Sequence, residues 1–341
     1  MSLPGWTYEF PRDHGSHPDF KTEWWYFTGN LADADARDFG YQLTFFRQGV
    51  IPPGGRVAEG EFGRRDVKFA HFAVSNLGGG KFHHFQRLVR GSFGEAGFDE
   101  GPRLAWIRDW ECRLVGPHDF DLVAREGEVK VDLRLRSEKP PVFHGRDGVS
   151  QKGAGEGRAS HYYSLTRLAT TGTIEIGGRV HEVRGWSWFD HEWATNQLTA
   201  DQKGWDWFSL QFEDGTDLML FQIRTRSGGR DPFSSGTFVA KDGSSRKIDN
   251  DSFHLEPVRW WTSPKTGGRY PVGWTLRIPS LNLDVRIESR LDTQELAADP
   301  VIYWEGSVSA EGTRYGQPIW ARGYLEMTGY AGEVQGMQET R

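Results

Sequence analysis

The sequence is short of cysteine and of net positive charge. Cys112 is the only cysteine among 341 residues, so no intrachain disulfide bond can form and the redox state of the compartment cannot be inferred. The 41 Lys and Arg residues are outnumbered by 47 Asp and Glu, which gives a net charge of −6 and a pI near 6.0. Because no basic surface is available to neutralise phosphates, a nucleic-acid partner is excluded.

Long apolar runs are absent too. No segment approaches the ~18 consecutive apolar residues that a membrane-spanning helix requires. The first six residues have neither the basic nor the apolar region of a signal peptide, so the chain as given is expected to be cytosolic or already trimmed. No segment shows a long helical period of apolar residues, which argues against a helical fold.

Aromatic residues and glycine are abundant instead. The chain has 15 Trp, 22 Phe, 10 Tyr and 43 Gly, a composition typical of many short strands and turns around an aromatic-lined cavity. In residues 128–136, Val131, Leu133 and Leu135 alternate with charged residues, so one face of that strand is solvated and the sheet is antiparallel. The pattern predicts an all-β protein with two tandem lipocalin-like antiparallel β-barrels.

The length of the chain favours two domains. We predict an extended lead-in at residues 1–20, an N-terminal domain at 21–199 and a C-terminal domain at 200–335. The second domain begins like the first, with Trp207 as the counterpart of Trp25, and each domain ends in an aromatic-x-carboxylate strand, which predicts an internal duplication. The glycine-rich residues 146–160 are predicted to form a flexible lid over a cavity.

Aromatic and ionisable side chains are most concentrated in residues 185–197, GWSWFDHEWATNQ. On a strand, Trp186, Trp188 and Asp190 share one face, so Asp190 is expected on an aromatic surface where burial raises the pKa of its carboxyl group. Such a carboxyl group can donate a proton near neutral pH. The alternative is a Trp-rich core strand that ends in a turn aspartate.

Other chemistries are disfavoured by their spacing. His191-Glu192 lacks the second histidine of a zinc-protease motif, because position 195 is threonine. His83 and His84 are adjacent and would point to opposite faces of a strand, so a metal site with His71 is not favoured. The motifs of serine hydrolases and of nucleotide-binding loops are also incomplete. The candidates that remain are His161 and Tyr163 on one strand and Trp188 and Asp190 on another.

Three motifs resemble the AttH proteins, which are relatives of the bacterial carotenoid 1,2-hydratases. They are HPDFKTEWWYFTGN at residues 17–30, SQKG with ASHYYS at 150–153 and 159–164, and GWSWFDHEWATNQL at 185–198. The resemblance covers nearly the whole chain and implies two lipocalin-like barrels in tandem. It also implies an apolar isoprenoid or lipid ligand, association with an ABC transport system and a periplasmic or other extracytoplasmic location, with a cytoplasmic one still open.

The hydratases add water to a carotenoid double bond without a cofactor, through a His-x-aromatic pair and an aromatic-x-Asp pair. The resemblance places these pairs on His161 and Tyr163 and on Trp188 and Asp190, with the two aromatic types exchanged. It implies Asp190 as the acid and His161 as the base that positions water. Ligand contacts are expected from other residues of the same motifs: Glu23, Trp24, Trp25, Tyr26, Trp186, His191, Glu192 and Asn196.

Three functions therefore remain open. The first is a lipid-binding lipocalin linked to transport, and the second is a cofactor-independent hydratase or isomerase of an isoprenoid. The third is a structural or interaction protein. An enzyme requires Asp190 buried beside a cavity with His161 nearby, whereas a carrier requires only the cavity.

Overall fold

The computed structural model describes residues 1–50, 66–90, 92–195, 198–298 and 301–332, without the side chains of Ser92 and Val301. The helices among these residues are four 3-10 helices of three residues each: Arg12–His14, Ser92–Gly94, Asn250–Ser252 and Pro279–Leu281. Within the same ranges no helix is long and apolar enough to cross a membrane. The all-β prediction is therefore confirmed, with two large curled antiparallel sheets.

The first sheet has 13 strands. Their bounds are β1 Thr22–Asp33, β2 Asp38–Gly49, β3 Asp66–Asn76, β4 Lys81–Val89, β5 Ala96–Phe98, β6 Arg103–Ile107, β7 Trp110–Leu114, β8 Phe120–Glu126, β9 Val129–Ser137, β10 Val142–Phe143, β11 Val149–Gln151, β12 Ala159–Ile176 and β13 Arg179–Ala194. The order is β4-β3-β2-β1-β13-β12-β9-β8-β7-β6-β5, and β10 and β11 also pair with β12. The long hairpin of β12 and β13 thus lies near the middle of the sheet.

The second sheet has 10 strands. Their bounds are β14 Gln202–Phe212, β15 Asp217–Thr225, β16 Ser235–Val239, β17 Ser245–Ile248, β18 His254–Thr262, β19 Arg269–Ile278, β20 Leu283–Ser289, β21 Glu295–Ala298, β22 Val301–Arg314 and β23 Gln317–Thr328. The order is β17-β16-β15-β14-β23-β22-β20-β19-β18, with β21 on β22. This order repeats that of the first sheet over nine strands, which supports the predicted duplication.

The strand pairing corrects the register of that duplication. Tyr26 lies opposite Asp190, and Trp207 lies opposite Glu326 in the second sheet. Tyr26 is therefore the counterpart of Trp207, and the predicted match of Trp25 with Trp207 is wrong by one residue. Trp25 belongs to the first core, whereas in the second sheet it is Phe208, the neighbour of Trp207, that enters the core. Since successive side chains of a strand point to opposite faces, a shift of one residue exchanges the faces.

The chain divides into two compact units, one of Met1–Val74, His83–Ser150 and Gly155–Asn196, and one of Ser75–Phe82, Gln151–Ala154 and Gln197–Arg341. Residues 1–20 belong to the first unit and include a 3-10 turn with Asp13 and His14 fully buried, so they are not extended throughout. Part of the predicted lid is also regular structure, because β11 lies within residues 146–160 and pairs with β12.

Candidate functional site

The predicted catalytic residues lie on the neighbouring strands β12 and β13. Tyr163 pairs with His191 and Ser164 pairs with Asp190. Residues directly opposite each other in an antiparallel pair point to the same side of the sheet. Asp190 therefore shares a face with Ser164, whereas His161 and Tyr163 share the other face with His191.

A register shift in β12 causes this separation. At the hairpin turn Ile176 pairs with Arg179, and continuation of that register would set Leu165 opposite Asp190, with Tyr163 on the same face. The pairing shifts by one residue between Leu165 and Leu168, which marks a β-bulge. Relative to the register of the turn, this shift moves the side chains of β12 before the bulge, from Ser160 to Leu165, to the opposite face with respect to β13. The prediction that Asp190, His161 and Tyr163 line one cavity is therefore wrong.

The carboxyl group of Asp190 is buried and accepts three hydrogen bonds from neutral donors. Tyr162 Oη donates to Oδ2 at 2.7 Å, Trp188 Nε1 donates to Oδ1 at 2.6 Å, and Ser164 Oγ also donates to Oδ1. Burial raises the pKa of Asp190 to about 7, and the three hydrogen bonds act in the opposite direction. The predicted shared face of Trp188 and Asp190 is confirmed. Asp190 is thus a carboxylic acid that can gain or lose its proton near neutral pH.

Three further side chains complete the surroundings of Asp190. His144 Nε2 lies 2.6 Å from Ser164 Oγ, and the His144 ring packs against the Tyr162 ring with centroids 4.2 Å apart. Glu192 is buried two residues further along β13, and its charge also raises the pKa of Asp190. Tyr26 of β1 lies directly opposite Asp190. Asp190 therefore has aromatic rings and polar groups around it on β1, β12 and β13.

His161 and Tyr163 lie on the other face, beneath the N-terminal segment. Trp6 packs against His161 with ring centroids 5.0 Å apart, and Phe10 packs against Tyr163 at 5.1 Å. Tyr163 Oη lies 2.7 Å from His14 Nδ1. Burial lowers the pKa of His161 to about 4, so its ring is neutral at neutral pH. These two residues belong to a packed aromatic layer on the face of the sheet opposite to that of Asp190.

A buried charged cluster forms on the same face as His161. The ligand atoms of His17, Glu23 and His191 all lie within 4.8 Å of one another, a spacing that could hold a metal ion. However, the two ring nitrogens of His17 donate to Glu23 at 2.7 Å and Asp13 at 3.1 Å, and Arg47 Nε donates to Glu23 at 3.1 Å. Burial lowers the pKa of His17, but the two carboxylates outweigh it and raise that pKa overall.

Both ring nitrogens of His17 are thus engaged by carboxylates, and the Arg47 guanidinium already supplies a cation to Glu23. The hydrogen bonds from His17 and His191 also hold the pKa of Glu23 well below its usual range, although burial opposes them. We therefore interpret the cluster as a structural ion network that fixes the N-terminal segment to β1, β2 and β13.

The other predicted ligand contacts are dispersed. Trp25 is fully buried in the core and donates from Nε1 to the His14 carbonyl oxygen at 2.8 Å, whereas its neighbour Trp24 is partly exposed. Trp186 is 39% exposed, and the Arg167 guanidinium lies 5.2 Å from the centre of its ring. Asn196 lies outside the described residues. By the alternation of β13 and its pairing with β1, Trp24, Tyr26, Trp186 and Glu192 share the face of Asp190, whereas Glu23, Trp25 and His191 lie on the other face.

Three residues that the structure places around Asp190 were not predicted from the sequence, namely His144, Tyr162 and Ser164. Tyr162 and Ser164 alternate with His161 and Tyr163, so they were visible as the second face of the same strand. No signal in the sequence singled out His144, because its position depends on the pairing of β10 with β12.

These features define an all-β protein of two lipocalin-like antiparallel sheets with a buried carboxylic acid in a polar and aromatic setting. The model of the AttH-like family matches residues 2–330, and the chain belongs to that family. Among solved structures, a putative AttH from Nitrosomonas europaea is similar, with a TM-score of 0.87 and 32% identity over 97% of this chain and 99% of that chain.

Two kinds of relative carry names that describe a reaction. The dehydratase asqC of Emericella nidulans is 26% identical over 209 residues, 58% of each chain. The kievitone hydratase of Fusarium solani subsp. phaseoli is 24% identical over 217 residues, 60% of this chain and 58% of its own. The chain thus spans less than two thirds of these curated relatives. The crystal structure of kievitone hydratase from Nectria haematococca has a TM-score of 0.74 at 15% identity, over 94% of this chain and 92% of that chain, and supports the fold.

Proposed function

We propose that this protein is a cofactor-independent hydro-lyase, which adds water to or removes water from an apolar isoprenoid-like substrate, with Asp190 as the general acid. The observation that carries the proposal is the buried carboxyl group of Asp190, which has a pKa of about 7 and three neutral hydrogen-bond donors. A binding protein has no need of such a group. The reaction class is also that for which the dehydratase and hydratase relatives are named.

The chemistry requires a proton donor and stabilisation of two opposite charges. In hydration, Asp190 gives its proton to an alkene carbon, water adds to the resulting cation, and the proton that water releases returns to the carboxylate. Dehydration follows the same steps in reverse. The rings of Trp188, Tyr162 and Tyr26 can face the cation, and the donors on Asp190 stabilise the carboxylate left behind. The requirement set from the sequence, that His161 lie near the acid, is not met, because His161 lies on the other face. The proposal therefore assigns His161 no role and rests on Asp190 and its own hydrogen-bond partners.

The substitution Asp190→Asn tests the proposal, because it retains the shape of the side chain and removes the acid. We expect loss of water addition to isoprenoid alkenes, and of water removal from the corresponding alcohols, by at least ~100-fold, the scale of one general acid. Turnover would be followed by mass spectrometry in isotopically heavy water. Binding of the same compounds, followed by quenching of tryptophan fluorescence, should be retained.

The matched control is Asp33→Asn, which changes a carboxylate at the C-terminal end of β1. The Asp33 carboxylate is bonded to His181 Nδ1 at 2.8 Å and to Arg37. This variant should retain turnover. A wild-type protein that binds the compounds but turns over none of them, or an Asp190→Asn variant with full turnover, would refute the hydro-lyase and favour a carrier of lipids or isoprenoids. Association with an ABC transport system and an extracytoplasmic location remain predictions of the sequence analysis.

A further inference from the structure

A continuous hydrogen-bonded chain leads from Asp190 through Ser164 to His144. Asp190 Oδ1 contacts Ser164 Oγ, and Ser164 Oγ lies 2.6 Å from His144 Nε2. All three residues are buried, Ser164 and His144 completely. The His144 backbone N–H also donates to the Tyr162 carbonyl oxygen at 3.0 Å, so the backbone that carries the imidazole is fixed to β12. The imidazole is therefore held in place at the end of this chain.

The single hydroxyl proton of Ser164 gives this chain one arrangement for a carboxylate at Asp190 and another for an acid protonated on Oδ1. A serine hydroxyl has one proton, so Ser164 can donate to one neighbour and must accept from the other. When Asp190 is a carboxylate, Ser164 donates to Oδ1, and His144 must carry a proton on Nε2 and donate it to Ser164. When Asp190 carries the proton on Oδ1, it donates to Ser164, and Ser164 donates to an Nε2 that has lost its proton.

We propose that Asp190 and His144 share one proton through the Ser164 hydroxyl. His144 is then a positioning residue that returns a proton to the carboxylate of Asp190. In the transfer, the N–H bond at Nε2 of the imidazolium breaks and an O–H bond forms at Ser164. The original hydroxyl proton of Ser164 moves to Oδ1 of Asp190. A carboxylate and an imidazolium thereby become a carboxylic acid and a neutral imidazole, and no other reactant is required.

The remaining groups near Asp190 cannot replace His144 in this role. Glu192 on β13 is a second acid and only disfavours the charge of Asp190. Tyr26 on β1 and Tyr162 on β12 carry phenol groups, and a phenol is a weaker acid than an imidazolium ion. Trp188 is a donor without a titratable proton. His144 is thus the base-type group that the described residues connect to Asp190 through one hydroxyl.

The role of His144 in turnover rests on the proposed hydro-lyase function, but the shared proton can be tested without substrate. The infrared carboxyl band of Asp190, assigned by its loss in Asp190→Asn, would be followed as a function of pH. The nitrogen resonances of His144, assigned by their loss in His144→Gln, would be followed in protein labelled with ¹⁵N-histidine. In the wild-type protein both signals should change with the same two apparent pKa values, because the sites are coupled.

Ser164→Ala removes the connecting hydroxyl. We expect the Asp190 band to titrate in a single step, shifted upward by about one pH unit or more because a donor to the carboxylate is lost, and no longer together with His144. Tyr162→Phe is the matched control, since it removes another donor to Asp190 but leaves the chain intact. It should also raise the midpoint, yet Asp190 and His144 should still titrate together.

Independent titration of the two residues in the wild-type protein, or an unchanged pattern in Ser164→Ala, would overturn the proposal. Should His144→Gln fail to fold, the Ser164→Ala comparison still decides, with the His144 resonance assigned through its proximity to the Tyr162 ring. Coupled titration in a protein without turnover would refute the hydro-lyase but leave the shared proton standing.

Discussion

The raised pKa of Asp190 makes a signed prediction about stability. The folded value of about 7 compares with an ordinary value of 3.8, a difference of about 3 units or roughly 4 kcal/mol in full. Because the folded protein retains this proton to a higher pH than the unfolded chain, stability falls as pH rises through the folded pKa. Between about pH 5 and about pH 8, this one group should lower the free energy of unfolding by about 2–3 kcal/mol.

Asp190→Asn removes this dependence. Urea unfolding followed by tryptophan fluorescence, at about pH 5 and about pH 8, should show that the wild-type protein loses about 2–3 kcal/mol more than the variant as pH rises. Titrating groups that are not coupled to Asp190 are common to both proteins and cancel in the comparison, whereas a contribution of His144 that depends on Asp190 is part of the measured difference. A constant offset between wild type and variant reflects the altered hydrogen bonds of the amide and does not affect the difference.

Asp33→Asn supplies the control for this measurement. The backbone N–H of Arg37 and the His181 ring, opposed by burial, lower the pKa of Asp33 to about 2. Its carboxylate is therefore charged in both folded and unfolded states over the tested range, so Asp33→Asn should not reproduce the change expected for Asp190→Asn. If the wild-type and Asp190→Asn curves also run parallel, Asp190 is already ionised at about pH 5 and the argument for a neutral carboxylic acid fails.

Two further predictions concern the framework of the site. Arg47→Met leaves the buried carboxylate of Glu23 without its guanidinium, so we expect the free energy of unfolding in urea to fall by about 3–5 kcal/mol. Arg134→Met removes an exposed ion pair and should lower it by at most about 1 kcal/mol. Equal losses in the two variants would contradict a buried ion network. Gly145 has φ +75°, and an added Cβ would lie 2.1 Å from a backbone oxygen, so Gly145→Ala should lower the free energy of unfolding by about 1–3 kcal/mol. Gly127 has φ +56° but open space around an added Cβ, so Gly127→Ala should lower it less. The reverse order in urea unfolding would refute this strain argument.

The fold could be predicted because its signals are local. Alternation of apolar and charged side chains marks β9, and the Gly177-Gly178 pair marks the turn of the β12–β13 hairpin, where both residues have positive φ. Asp190 was found for the same reason, because its face on β13 depends only on the period of two that it shares with Trp188. A feature that depends on the residues of a single strand can therefore be predicted from the sequence.

The partners of Asp190 could not be predicted, because they depend on the pairing between strands. Extending the register of the turn along the hairpin sets His161 and Tyr163 beside Asp190, as the sequence analysis expected. Nothing in the run of Thr166 and Arg167 distinguishes a bulge from regular strand, although a bulge is what the pairing shows there. The position of His144 is also non-local, because it follows from the addition of β10 to β12.

The second sheet shows what the bulge contributes. Over the described residues of β22 and β23, the pairing runs without a shift from Arg314 opposite Gln317 to Tyr303 opposite Thr328. The corresponding hairpin of the first sheet would, without its bulge, place the apolar Leu165 opposite Asp190. The inserted residue instead brings the Ser164 hydroxyl to that position, and with it the hydrogen bonds that a buried carboxyl group requires. Because the same duplicated hairpin forms without a bulge in the second sheet, the fold does not require one. The irregularity in β12 is therefore best explained by the site around Asp190.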